Sequence, residues 1–225
     1  MNRTKIGILG GSFDPITRGH IDLARFVLSR ADLNEIWIMP CNDHRLKNSL
    51  VSPNHRLDMG NIACQYFANI RVSDYEIKHE LDGSVYNLFD HLFKDRGMMY
   101  FDFSFIIGTD NVLNFGEWKN SENLKKMARF ITVPRQGVNV PLYIDWYKKS
   151  PHIYLDEKDP IIEVSSTEIR RLLGEWRNEA LSPEKIKELS FKIDPLVLSY
   201  INMNNLYREG EHEQSIRQER VPRAS

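Results

Sequence analysis

The sequence predicts an α/β protein with a doubly wound, mostly parallel sheet. Short apolar runs, typical of buried strands, alternate with segments of helical periodicity, and this alternation favours parallel strands joined by helices. The expected strands are Lys5–Leu9, Glu35–Met39, Ile70–Val72, Phe103–Ile107 and Phe130–Val133. The expected helices between them are Ile21–Leu28, Leu57–Phe67 and Val85–Phe93.

The segment Val85–Phe93 has the clearest helical pattern. Its apolar residues are spaced i, i+3, i+4, i+7 and i+8, so they lie on one face of a helix. An amphipathic helix of this kind buries its apolar face, and we expect it to pack against one side of the sheet.

The C-terminal third has shorter elements. The segments His152–Leu155 and Ile161–Val164 are candidates for short strands. A helix is expected to start at Ser165, because Ser165 and Glu168 have the spacing of a capping box. A last helix is expected at about Pro195 to Met203.

We expect one domain over residues 1–207, with a core at about 1–135 and a C-terminal part at about 150–207 that forms a small helical extension. Residues 208–225 are polar and charged, and they predict a disordered tail.

Composition argues against several classes of protein. The formal net charge is −1, so no general attraction to nucleic acid or to a membrane is expected. No signal peptide is expected before the first strand, and no apolar run is long enough to span a bilayer. The two cysteines lack metal-ligand spacing and predict neither a disulfide scaffold nor a zinc site. The simplest compartment is a reducing cytoplasm, or a nucleus. The oligomeric state stays open, and a homo-oligomer is one alternative.

The strongest motif follows the first strand, where residues 10–20 read G-G-S-F-D-P-I-T-R-G-H. Gly10 and Gly11 would let a phosphate approach the main chain, and the next helix would offer N–H groups and side-chain donors from Thr17 and His20. The chain has neither the P-loop pattern nor the G-x-G-x-x-G dinucleotide pattern. This order of strand, turn and helix predicts a phosphate site. Asp14 either shapes the turn or contacts the ligand.

A second motif, Ser165-Ser166-Thr167-Glu168-Ile169-Arg170, combines a helix start, three hydroxyl groups and an arginine. These groups suit a polyphosphate, since N–H and hydroxyl donors are joined by one fixed cation. An ordinary helix cap with a surface arginine is the alternative for this motif alone.

Together the two motifs resemble those of the nucleotidylyltransferase superfamily, G-x-F-D-P-x-[HT]-x-G-H and I-S-S-T-x-x-R. Within it, the chain resembles the nicotinamide/nicotinate mononucleotide adenylyltransferases over roughly Lys5 to Tyr207. The further matching blocks are Pro40–Asp43 with Lys47, Leu50, His55, Arg56 and Met59; Ile107–Asp110 with Trp118; Phe130–Arg135; Ser199–Ile201; and Leu206 with Tyr207.

The resemblance implies a Rossmann-like fold and an enzyme of NAD biosynthesis. It would join nicotinamide or nicotinate mononucleotide to the AMP part of ATP and release pyrophosphate. Mg²⁺ would enter with ATP and be held mostly by phosphates and water, and no dedicated metal site is expected. The partners would be these small molecules. The sequence leaves the choice between amide and acid substrate open.

Thr17 departs from the pattern of many members, which have His at that place. Thr is usual there in phosphopantetheine adenylyltransferases, so that activity, or another nucleotidyl transfer, is the alternative. A nucleotide sensor without turnover is a further alternative.

The resemblance also implies roles for individual residues. The catalytic group would be His20, Thr17 and Arg170. Contacts to ATP would come from Gly10, Gly11, Ser12, Phe13, Gly19, His20, Lys47, Gly108, Asp110, Ser165, Ser166, Thr167 and Arg170. Contacts to the mononucleotide would come from Ser12, Phe13, Tyr75, Trp118 and Arg135. Arg45 could replace Lys47 at the phosphates, and Asp110 could be a helix cap rather than a sugar ligand.

Overall fold

The computed structural model describes residues 3–42, 50–156, 165–175 and 183–207. Its strands form one sheet in the order β3-β2-β1-β4-β5-β6, and each neighbouring pair is parallel. The strands are β1 Thr4–Gly11, β2 Glu35–Pro40, β3 Ile70–Val72, β4 Phe101–Gly108, β5 Arg129–Val133 and β6 Ile153–Tyr154. The predicted doubly wound α/β class is confirmed.

Helices connect and cover these strands. They are α1 Arg18–Arg30, α2 Pro53–Cys64, α3 Tyr75–Lys78, α4 Val85–Lys94, α5 Thr109–Leu113, α6 Ser121–Met127, α7 Ser166–Glu175, α8 Pro183–Lys192 and α9 Pro195–Met203. Short 3₁₀ turns lie at Arg96–Met98, Phe115–Glu117 and Trp146–Lys148. Among the described helices, none has both the length and the apolar character that crossing a membrane requires.

All five expected strands are found, and the candidate at His152–Leu155 is confirmed as β6. The other candidate, Ile161–Val164, and the expected tail at 208–225 lie outside the described residues. Helices α3, α5, α6 and α8 are additional to those expected.

The predicted bounds of α2 were wrong at both ends. The helix begins at Pro53, because the Ser52 hydroxyl caps it by accepting from the N–H of His55 at 3.5 Å, and Pro is well suited to the first helical position. It ends at Cys64, whose carbonyl accepts a turn hydrogen bond from Phe67 at 2.9 Å. The apolar spacing that placed the helix at Leu57–Phe67 carried no information on either cap.

Both faces of the sheet are buried, in two separate apolar clusters. In β2, Ile36 and Ile38 pack with α1, α2 and the C-terminal helices, whereas Trp37 and Met39 pack with α4 and α6 on the opposite face. Successive strand residues point to opposite faces, so each cluster takes every second residue. This two-sided burial explains why the strands are continuous apolar runs.

The strand order places a crevice at the carboxyl ends of β1 and β4. The chain runs outward from β1 to β3 and then returns to β4 on the other side of β1. The loops that follow β1 and β4 therefore leave in opposite directions, and ligands bind at such a point in open α/β sheets.

Gly10, near the end of β1, gives a test of this packing. A Cβ built on Gly10 would lie 2.7 Å from Cζ of Phe105, a buried ring on β4. Gly10→Ala should therefore lower the free energy of unfolding by about 1–3 kcal/mol through overpacking, measured by urea denaturation.

Gly116→Ala is the matched control, because a Cβ on Gly116 would have no neighbour within 4 Å. It should change the free energy of unfolding by less than about 0.5 kcal/mol. Equal effects of the two variants would show that the Phe105 ring does not fill this space.

Candidate active site

The fold brings the two sequence motifs into contact, although they are about 150 positions apart. The hydroxyl of Ser166 donates to the carbonyl of Pro15 at 2.8 Å. Nη1 of Arg170 donates to the carbonyl of Asp14 at 2.5 Å. Helix α7 thus holds the loop that follows β1, called here the FDP loop (residues 12–17).

His20 and Thr17 form a reciprocal cap at the start of α1. The Thr17 side chain accepts from the N–H of His20, and Nδ1 of His20 accepts from the N–H of Thr17 at 3.0 Å. A backbone N–H can only donate, so Nδ1 is an acceptor and the ring proton of the neutral imidazole lies on Nε2. Histidine here takes the place that Glu or Gln has in an ordinary capping box.

The Thr17 hydroxyl is engaged within the protein, and its contact to a phosphate stays a prediction. Thr17 is 2 % exposed, and its hydroxyl lies 2.9 Å from Nδ1 of His20. In the cap this oxygen accepts from the N–H of His20. In the structure Thr17 orients His20.

The FDP loop is strained at Phe13. This residue is buried and has φ of 47°, in the left-handed region that bulky residues avoid. Its ring contacts His20 edge-to-face, with the centroids 5.0 Å apart. It also lies 3.2 Å from the Cβ that a side chain on Gly11 would have. Gly11 therefore accommodates the Phe13 ring and Gly10 accommodates the Phe105 ring, a reason for glycine that the sequence did not indicate.

The guanidinium of Arg170 already contacts several protein groups. Besides the Asp14 carbonyl, its guanidinium contacts the hydroxyl of Thr167 at 3.1 Å and lies 3.9 Å from the Asp14 carboxylate. The side chain of Arg170 retains 25 % exposure. Ser165 and Thr167 are exposed beside it, so this end of α7 offers hydroxyls and one cation to the solvent side.

The capping box expected at Ser165 does not form. The Ser165 hydroxyl accepts from the N–H of Thr167 at 3.2 Å, and the Glu168 carboxylate binds Lys192 on α8. An available lysine on a neighbouring helix competes successfully for this carboxylate.

Arg56 is a buried residue that holds the backbone of the site, a role that the sequence did not indicate. It is 1 % exposed, and its guanidinium donates to the carbonyls of Ser12 at 3.0 Å, Cys41 at 2.8 Å and Val51 at 3.0 Å. A buried cation whose donors all serve backbone carbonyls joins the ends of β1 and β2 to the start of α2.

Asp110 and Arg135 lie across the crevice, where β4 and β5 end. Oδ1 of Asp110 makes no hydrogen bond among the described residues and lies 3.4 Å from Nε of Arg135. A Cβ on Gly108 would clash with both side chains. Asp110 is in the first turn of α5, but no side chain caps that helix. The Asp110 side chain as a whole is 48 % exposed, so a ligand hydroxyl can donate to this carboxylate.

Trp118 and Tyr75, the two aromatic candidates, belong to the same apolar cluster. Trp118 is half-buried and stacks on Phe115, with the centroids 5.0 Å apart. Tyr75 is 4 % exposed, and its hydroxyl lies 2.8 Å from Nδ1 of His91 and donates to Asp95 at 2.9 Å. Its ring is buried in this structure, and its contact with the mononucleotide stays a prediction.

Glu76 is a buried carboxylate that binds the loop at residues 81–84, directly and through Asn42. Glu76 is 5 % exposed and accepts from the N–H of Asn42 at 3.2 Å. The Asn42 side chain donates to the carbonyl of Leu81 at 3.2 Å. Burial raises the pKa of Glu76 to about 7, although hydrogen bonds from the backbone of Asn42 and Gly83 act in the opposite direction.

The roles of some predicted site residues stay untested. Lys47 and Arg45 fall within residues 43–49, which are outside the described residues. Gly19 is the second residue of α1. Within the described residues, no three His, Cys, Asp or Glu side chains are grouped so that they could hold a metal ion.

The raised pKa of Glu76 predicts a pH dependence of stability. Between its ordinary pKa of 4.5 and about 7, the native state keeps a proton that the unfolded state has released. Stability should therefore fall as pH rises through this window, by up to about 3 kcal/mol. Glu76→Gln, followed by urea unfolding at pH 5 and pH 8, should remove this part of the fall.

Glu117→Gln, at an exposed position, serves as the control and should keep the wild-type difference between the two pH values. If Glu76→Gln keeps it as well, Glu76 is not a buried acid that retains its proton.

Comparison with known proteins agrees with this geometry. The sequence profile of the cytidylyltransferase-like family matches residues 8–172. A Christiangramia forsetii protein named "Probable nicotinate-nucleotide adenylyltransferase" is 32 % identical over 210 residues, which are 92 % of this chain and 100 % of the relative. A Bacillus licheniformis protein of the same name is 34 % identical over 208 residues, with 90 % and 98 % covered.

A solved structure is similar over almost the whole fold. It is the Plasmodium falciparum nicotinic acid mononucleotide adenylyltransferase complexed with NaAD, with a TM-score of 0.73 and 27 % identity over 91 % of this chain and 97 % of that one. The chain therefore belongs to the cytidylyltransferase-like family and, within it, to the nicotinate-nucleotide adenylyltransferases.

Proposed function

We propose that the protein transfers the adenylyl group of ATP to nicotinate mononucleotide, giving deamido-NAD and pyrophosphate. The observation that carries this proposal is the contact between the FDP loop and α7, which gathers His20 and Arg170 at the carboxyl end of β1. The names of the relatives support nicotinate as the acceptor. The test below also measures turnover with nicotinamide mononucleotide, the amide substrate.

The reaction needs no covalent intermediate on the protein. An oxygen of the mononucleotide 5′-phosphate attacks the α-phosphorus of ATP. The bond from that phosphorus to the oxygen bridging to the β-phosphate breaks, and pyrophosphate leaves with the electron pair. The protein contributes by positioning the two substrates and by stabilising negative charge that spreads over the phosphate oxygens.

His20 is the donor proposed for the reacting phosphates. Because Nδ1 accepts from Thr17, Nε2 carries the proton and can donate to a phosphate oxygen without a change of tautomer. Arg170 supplies positive charge, and the hydroxyls of Ser165 and Thr167 supply further donors at the start of α7. Thr17 acts through His20.

The pyridine nucleotide is proposed to lie on the β4 side of the crevice. Trp118 would stack on the pyridine ring. Asp110 would accept from a ribose hydroxyl, and Arg135 would balance the charge of the phosphate. Ser12 and Phe13 would contribute through the backbone of the FDP loop.

Mg²⁺ is proposed to arrive with ATP as part of the substrate. Its ligands would come mainly from the phosphates and water. Lys47 stays a proposed phosphate ligand.

The direct test uses the purified protein with ATP and Mg²⁺. Nicotinate mononucleotide, nicotinamide mononucleotide and phosphopantetheine are supplied separately, and pyrophosphate release is followed while the adenylylated product is identified. We expect turnover with nicotinate mononucleotide. Turnover with phosphopantetheine alone would replace the proposed acceptor, and ATP binding without turnover on any acceptor would indicate a nucleotide sensor.

The role of His20 can be tested with two amides of different length. Glutamine can place its amide N–H near the position of Nε2, whereas asparagine reaches only the position of Nδ1. His20→Asn should lower kcat by about 10²–10³-fold, as expected for loss of a transition-state donor, and His20→Gln should retain more activity than His20→Asn.

Urea unfolding of both variants is the control for folding. Equal losses of kcat, in proportion to equal losses of stability, would contradict a donor role for Nε2 and leave His20 only the task of capping α1.

A further inference from the structure

Asp14 is a buried carboxylate that the proposed reaction does not use. It is 1 % exposed. Its Oδ1 accepts from the hydroxyl of Tyr207 at 2.7 Å and from the N–H of Val51 at 3.4 Å, and its Oδ2 lies 3.9 Å from Nη1 of Arg170. A buried charge is costly unless such partners are present, so the Tyr207 hydrogen bond is a main stabilising contact of Asp14.

Tyr207 reaches Asp14 from a strained backbone just after α9. Its φ is 63°, in the left-handed region that bulky residues avoid, and the residue is 8 % exposed. The turn before it is fixed by the N–H of Leu206, which donates to the carbonyl of Ile201 at 3.0 Å. Burial, reinforced by the Asp14 charge, raises the pKa of the Tyr207 phenol, so the phenol remains a donor.

The two partners of the Asp14 carboxylate have different consequences for the site. Tyr207 offers a neutral donor that belongs only to Asp14. Arg170 offers a cation that the proposed function assigns to the phosphates of ATP. Without the phenol O–H, Oδ1 would keep only the 3.4 Å contact from Val51, and the carboxylate would attract Arg170 more strongly across the present 3.9 Å.

We propose that Tyr207 is a positioning residue for ATP, which acts by satisfying Asp14 so that Arg170 remains available to the phosphates. The inference rests on the proposed function for the identity of the reaction. It assigns the last described turn of the chain chiefly to the ATP half of the site.

Tyr207→Phe removes the hydroxyl and keeps the ring. Steady-state kinetics should show KM for ATP raised by about tenfold, while KM for nicotinate mononucleotide stays within about twofold. This difference between the two substrates is the readout that general destabilisation would not produce.

Tyr200→Phe is the matched control. Tyr200 is on α9, seven residues before Tyr207, and its hydroxyl likewise donates to a carboxylate, that of Asp58, at 2.7 Å. This contact joins α9 to α2 and not to the FDP loop. It should lower stability without changing KM for ATP. If Tyr200→Phe raises KM for ATP as much as Tyr207→Phe does, or if neither raises it, the proposal is wrong.

A calorimetric titration with α,β-methylene-ATP separates this proposal from the function. Wild type should bind the analogue about tenfold more tightly than Tyr207→Phe does, with or without turnover on any acceptor. Weakened binding in an inactive protein would overturn the function and support the role of Tyr207. Unchanged binding in an active protein would overturn the role of Tyr207 and leave the function intact.

Discussion

The site depends on how the FDP loop satisfies its backbone carbonyls. This loop has no regular partner strand, yet the carbonyls of three of its residues each accept from a side chain of a distant helix. Arg56 of α2 binds Ser12, Arg170 of α7 binds Asp14, and Ser166 of α7 binds Pro15. Buried carbonyls need such partners, and these partners fix the loop in one conformation.

That fixed loop explains why strain at Phe13 persists. A bulky residue at a positive φ is tolerated only where its surroundings determine the conformation. The Phe13 ring, so placed, packs against His20, and the cap from Thr17 sets the direction of the imidazole. The residue proposed to donate to phosphate is thus held from two sides before any substrate binds, as preorganised electrostatic stabilisation requires.

The sequence predicts the sheet and the place of the site well, because both follow from local patterns. Apolar runs give the strands, and the two motifs give the loop and helix that meet at the end of β1. The short helices α3, α5 and α6 carry too few residues for a periodic signal.

The sequence does not show which side chains engage one another, and most of these contacts join residues that are distant in sequence. Nothing local shows that Tyr75 is buried against His91 and Asp95, or that the Glu168 carboxylate binds Lys192 instead of capping its own helix. For Thr17, the motif shows a hydroxyl near a phosphate site but not that the hydroxyl is engaged by His20. The burial of Arg56 could have been predicted from its helical spacing. It lies on the same face of α2 as the buried residues Met59 and Ala63, and a buried guanidinium needs acceptors.

The tautomer of His20 is the most direct test of whether the FDP loop fixes the imidazole in one orientation. Nitrogen-15 NMR of the imidazole distinguishes a protonated Nε2 from a protonated Nδ1. We expect the neutral ring to carry its proton on Nε2, with the Nδ1 resonance of an acceptor, because Thr17 donates to that atom. A proton on Nδ1, or averaging of the two tautomers as in free histidine, would contradict the claim that the FDP loop presents His20 to the phosphates in a single orientation.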